Sequence, residues 1–185
     1  MVIRHSHVVL DACCLLNFAA SGHLLDIIKA IPAQAVVTEI VATQELKTLN
    51  RLQDEKNEAA IQFEAAISQG LLMVVDFNSD REAETFINYA AVLGDDGDAA
   101  TCAIAISRDY AIATDDKREI SFFQKEANHL QVLSTLELVK YWSETAKVDD
   151  LELEFVLTAI RVKGKYMPNS RHPLLSWWQS FVKID

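Results

Sequence analysis

Five carboxylates stand where short apolar runs give way to polar residues. Asp11 closes His7-Val8-Val9-Leu10, and Glu39 lies two residues beyond Ala35-Val36-Val37. Asp115 and Asp116 follow Ala111-Ile112-Ala113-Thr114, and Asp98 comes just after the turn Gly94-Asp95-Asp96-Gly97, with Asp95 and Asp96 as nearby spares. Taken singly, each has an ordinary explanation as a helix cap or as a first-turn acid that suits the helix dipole. Gathered at one edge they would repel one another, raise each other's pKa and cost stability. A hard divalent cation removes that penalty. Mg²⁺ favours one or two carboxylates together with water and phosphate oxygens. Two such ions roughly 3.5–4 Å apart can activate a water and stabilise the leaving oxygen of a phosphodiester. The residue types therefore point to cation-assisted phosphodiester hydrolysis, which needs no Ser, Cys or His nucleophile.

That chemistry requires a scaffold that brings distant residues to one edge. Apolar β-branched runs predict buried strands at 7–11, 35–37, 71–75, 111–114 and 130–133. Helices are expected at 12–20, 22–31, 39–49, 54–68, 79–93, 98–108, 116–127, from Ser134 through Trp142, 149–161 and 173–182. Ser79-Asp80-Arg81-Glu82 and Ser134-Thr135-Leu136-Glu137 read as capping boxes, and Gly70 as a helix C-cap. Strands alternating with helices give an α/β protein, a three-layer α/β/α sandwich with a mostly parallel central sheet. In such sheets ligands bind at the carboxyl ends of the strands, where these acids fall. The alternation stops near Ser143–Asp150. Residues 1–145 are expected to form the nuclease-like domain, and 146–185 a helical C-terminal extension packed on it.

Composition narrows the function classes. Of 185 residues half are hydrophobic and 24% charged, the profile of a globular chain. With 17 Lys+Arg against 27 Asp+Glu the net charge is −10, which disfavours a simple nucleic-acid coat protein. The segment from Arg161 to Asp185 runs the other way, with five basic residues and one acid. It is either a second surface with its own task or a tail packed on an acidic body. Three cysteines, two of them adjacent, make a poor disulfide framework and suit a reducing, cytoplasmic setting. Asp11 and Asn17 interrupt the apolar run after Arg4, which argues against a signal peptide. No stretch reaches the roughly 20 apolar residues of a membrane span.

The runs Val8-Val9-Leu10-Asp11-Ala12-Cys13-Cys14-Leu15-Leu16-Asn17, Val36-Val37-Thr38-Glu39, Leu93-Gly94-Asp95-Asp96-Gly97-Asp98-Ala99-Ala100 and Ile112-Ala113-Thr114-Asp115-Asp116 resemble, in order and spacing, a PIN domain. The resemblance covers about residues 7–135 and is nearest to the VapC-type toxins of toxin–antitoxin pairs. It implies a PIN-like fold and an endoribonuclease dependent on Mg²⁺ or Mn²⁺, with RNA as substrate. Asp11, Glu39 and Asp98 fall on the family's first three acidic positions. Asp116 falls on the fourth, with Asp115 beside it as the alternative. The implied metal ligands are Asp11, Asp98 and Asp116, with Asp115 the substitute, and Glu39 is a ligand or positions water. An antitoxin protein and a homodimer are the partners the resemblance suggests. Cys13 departs from the Ser, Thr or Asn often found at its position, and a thiol is a weak donor. The competing reading is a catalytically silent PIN-fold binding or regulatory protein. A haloacid-dehalogenase-type phosphohydrolase is disfavoured because Asp11-Ala12-Cys13 lacks a second Asp, and a receiver domain because the Lys expected after its fifth strand is missing.

The remaining candidates read as structural. His5, His7, His23, His129 and His172 show no ligand spacing, and Cys102 sits among Ala and Ile as a small core residue. Tyr166, Arg171, His172, Trp177 and Trp178 could stack bases and hold phosphates. Docking of the two tryptophans onto the core is the favoured alternative.

Overall fold

The computed structural model describes residues 1–49 and 57–182. The N-terminal end of the expected helix 54–68, and Lys183 and Asp185 of the basic tail, lie outside them. Five strands form one sheet: β1 (His7–Leu10), β2 (Gln34–Thr38), β3 (Leu72–Val75), β4 (Ala111–Ala113) and β5 (Val132–Leu133). Every pairing is parallel, in the order β3-β2-β1-β4-β5. The chain builds outward from β1 through β2 to β3, then returns to lay β4 on the other side of β1. The reversal makes a switch point between the ends of β1 and β4, where open parallel sheets place their ligands.

Ten helices are described. They are α1 (Ala12–Ser21), α2 (Leu24–Ala30), α3 (Glu39–Leu49), α4 (Glu58–Ser68), α5 (Asp80–Leu93), α6 (Asp96–Arg108), α7 (Lys117–Glu126), α8 (Thr135–Ala146), α9 (Asp150–Val162) and α10 (Leu175–Phe181). Alternate strand residues feed two cores, because successive side chains point to opposite faces. Val8, Leu10, Val37 and Ala113 join α1–α4, α8, α9 and α10 on one face. Val9 and Ile112 join the buried faces of α5–α7 on the other. The result is three layers, helices on both sides of a parallel sheet. Leu153, Val156 and Ile160 of α9 and Trp178 of α10 are buried in the first core, so both helices beyond residue 146 share it.

Several boundaries differ from the sequence expectation for local physical reasons. Helix α6 starts at Asp96 rather than Asp98, because the Asp95 carboxylate accepts from the Asp98 N–H and caps the helix. Ser79 accepts from the Glu82 N–H, but the Glu82 carboxylate turns to the Asn78 N–H and to Arg108, so the box there is half formed. The box at Ser134–Glu137 is complete. Gly70 closes the turn one residue beyond the α4 C-cap, Gln69, in a left-handed conformation at φ 69°. Among the described residues no single helix is long and apolar enough to cross a membrane. The apolar pair α1 and α2 is bent by 120° and packs in the first core.

Candidate metal centre

Three carboxylates from three separate stretches converge beside the switch point. Asp11, at the end of β1, is the N-cap of α1. Asp98 lies in the first turn of α6 and Glu119 in the first turn of α7. One oxygen from each lies within 4.8 Å of the other two. Glycine eases this approach: a Cβ on Gly97 would stand 3.2 Å from Asp95 Oδ1, a tight contact, and 3.4 Å from Val41 Cγ2. Bare backbone therefore lets the first turn of α6 close against α3 and carries Asp98 into the cleft.

The hydrogen bonding of the trio is incomplete. Asp11 Oδ2 accepts from the Cys13 N–H and from Thr114 Oγ1, each at 3.3 Å. Asp11 Oδ1 is buried and has no partner. Glu119 Oε1 accepts weakly from the Cys102 thiol at 3.7 Å, while its buried Oε2 has no partner either. Buried polar atoms are nearly always satisfied, so two orphaned carboxylate oxygens in one cluster are exceptional. Burial raises the pKa of Asp11, against the hydrogen bonds from Cys13 and Thr114. Burial, then the charges of Asp11 and Asp98, push Glu119 well above the carboxylate range. Asp98 is pushed up to about 7 by burial and by Asp11, Asp95 and Asp116, with the nearby Arg118 opposing. The Arg118 guanidinium itself donates to Val92 O at 2.7 Å. Without a counter-ion the cluster holds protons. The donor set is hard oxygen, which fits Mg²⁺ or Mn²⁺.

The other expected residues are arranged around this trio. Asp116 caps α7, its Oδ1 accepting from the N–H groups of Arg118 and Glu119 at 2.7 and 3.0 Å, and its charge is felt at Asp98. Glu39 is exposed on the first turn of α3 and is not among the three convergent acids. Asp115 turns away toward α8. It accepts from the Thr135 N–H and from the Tyr166 hydroxyl at 3.3 Å, and its pKa is raised by burial despite those bonds. It also lies in a second candidate metal-binding group, with Cys13 and Cys14. Sulfur donors suit softer ions than Mg²⁺. Burial drives the Cys14 thiol far up, and it donates to Asp115 Oδ2 at 3.8 Å. The Cys13 sulfur accepts from the Asp115 N–H at 3.2 Å, which links the first turn of α1 to the segment after β4.

Glu119 is not among the acids singled out in the sequence. Asp116-Lys117-Arg118-Glu119 looks like a capping box, yet the Asp116 N–H goes to Thr114 Oγ1 and Glu119 points inward. Its signal was its position: Glu119, Phe123 and Ala127 follow at i, i+4 and i+8, and all three are buried. A carboxylate at the head of an apolar stripe calls for a reason. No family model matches the chain, and no curated protein matches it in sequence.

Proposed function

We propose that the chain is a PIN-like endoribonuclease that depends on Mg²⁺ or Mn²⁺. One observation carries the reading: three carboxylates far apart in sequence share a site at the sheet's switch point, and two of their buried oxygens lack partners. Asp11, Asp98 and Glu119 would hold the cation, and Asp116 flanks it. The chemistry such a cation supplies is Lewis acidity toward water and toward a phosphoryl oxygen. The chain's own residues prepare the site. Thr114 and the Cys13 N–H fix one Asp11 oxygen and leave the other presented inward. Asp116 spends one oxygen on the α7 cap, which holds the helix that carries Glu119. Glu39, exposed on the first turn of α3, would serve as a further ligand or position water. RNA is the substrate class that goes with the PIN-like pattern of acids. An antitoxin protein and a second copy of the chain are its partners in this reading. A cytoplasmic setting agrees with three free thiols.

The test is cleavage of mixed RNA with Mg²⁺, with Mn²⁺ and with EDTA, on the natural chain and on Asp98→Asn and Asp11→Asn. Outer-shell partners alone are worth about 10–100-fold, so losing a ligand should cost more than about a hundredfold. Asp11→Asn keeps an acceptor for Thr114 and removes a charge from the cluster, so the cation-free variant should melt no lower than the natural chain. Cleavage that persists in EDTA or in either variant overturns the assignment. Cation binding with no cleavage of any RNA would favour the silent binding protein instead.

A further inference from the structure

A groove of about 310 Å³ adjoins the carboxylate cluster and shares Asp116 with its flank. It is lined by Asp116, by Leu16 and Asn17 of α1, and by Lys165 and Met167 of the C-terminal tail. That volume is at the lower end of small-ligand sites. We propose that this groove holds a nucleotide of single-stranded RNA next to the scissile phosphate, with Lys165 pairing a backbone phosphate. The inference rests on the nuclease reading and extends it to the path of the substrate.

Three observations carry it. The first is continuity. Asp116 belongs both to the groove and to the rim of the metal centre, so a strand lying across the cluster passes directly into the groove. The second is that the groove is built rather than a loose loop. The Tyr166 hydroxyl donates to Asp115, and its N–H donates to Ile160 O at 3.3 Å. Beyond it, His172 Nε2 pairs with Ser134 Oγ at 3.0 Å. Just before Tyr166, Lys165 is held in a left-handed conformation at φ 53°, a position unusual for a residue with a Cβ. The third is chemistry. Among the described residues, Lys165 is the one cationic side chain lining a groove whose other polar groups are two carboxylates, an amide, a thiol and the Tyr166 phenol. A polyanion entering an acidic protein needs such a charge, and Met167, about half exposed, offers a polarizable face to a base. The basic tail thereby has a task that its packing on the core leaves unexplained.

Binding can be measured apart from cleavage. Fluorescence anisotropy with a labelled single-stranded RNA is read in the full chain carrying Asp98→Asn, alone and combined with Lys165→Ala, Lys165→Glu or Lys165→Arg. One phosphate contact on a single strand adds about 0.7 to the slope of log K against log salt, or about fivefold in affinity at 0.1 M. Lys165→Ala should lose both, Lys165→Glu should lose more, and Lys165→Arg should keep them. Lys125→Ala, an exposed lysine in the last turn of α7, removes the same charge elsewhere and should change neither. Unaltered melting of each variant separates lost binding from lost fold. Equal affinity and slope in Lys165→Ala and the natural residue overturn the groove, whatever the cleavage assay shows. If Lys165→Ala weakens binding while the natural chain never cleaves RNA, the groove stands and the nuclease reading falls.

Discussion

At the residue scale the site is a contest between burial and charge. Asp98 is the informative member, since its pKa is pushed up to about 7 by burial and by the neighbouring acids. Its ordinary value is 3.8. Between these values the folded chain binds the proton and the unfolded chain has released it. Stability is therefore lost as pH rises through this window and is regained on acidification. A cation inverts the preference, because it binds the ionised carboxylate and displaces the proton. Two measurements follow. In EDTA, denaturant midpoints of the natural chain should fall relative to those of Asp98→Asn between about pH 4 and 7. The affinity for Mn²⁺ should rise over the upper part of that range. A difference between the two chains that does not vary with pH would mean that Asp98 is not a strained acid.

At the element scale the acids are positioned by close approaches of backbone rather than by long side chains. Gly97 does this for α6 and Gly164 does it for the tail. A Cβ on Gly164 would stand 2.6 Å from Asn17 Oδ1 and 2.7 Å from Ile160 O. Overpacking of this kind costs about 1–3 kcal/mol. Gly164→Ala should therefore lower the unfolding free energy by about that much in urea, and it should also disturb Tyr166, which packs on the core two residues on. No change in the midpoint would show that the tail yields easily, contrary to its ties to Asp115 and Ser134. The same scale shows what was legible beforehand. The strands and most helices could be read because β-branched runs and capping residues are local signals, as Ser134–Glu137 shows. Asp11 and Asp98 were legible because each sits beside a strand end or a glycine turn. Glu119 was harder to read, because a first-turn Glu after a capping Asp is explained equally well by the helix dipole, and only its place at the head of the stripe through Phe123 and Ala127 marks it as inward-facing. Asp115 and Asp116 could not be ranked from sequence: adjacent residues after a strand diverge, one toward α8 and one onto the α7 cap.

At the scale of the whole molecule, three crowded acids, two buried and one half-buried, in a chain of net charge −10 are a destabilising choice unless a ligand completes them. A cation that binds only the folded chain stabilises it by RT ln(1 + [L]/Kd), about 2.7 kcal/mol at a hundredfold excess over Kd. For a domain of this size each kcal/mol moves the melting temperature by about 2–4 °C. The chain stripped with EDTA should therefore melt several degrees higher when Mn²⁺ or Mg²⁺ is restored, with a shift that grows logarithmically with cation concentration. Asp98→Asn should abolish most of the shift, because it removes one of the three carboxylates that would hold the cation. Raising ionic strength with NaCl instead should not reproduce it, since screening acts on exposed charges and much less on buried ones. Equal shifts in the natural chain and in Asp98→Asn would place cation binding elsewhere on the acidic surface. The convergence of Asp11, Asp98 and Glu119 would then be a buried proton-sharing cluster of the fold and not a centre for chemistry.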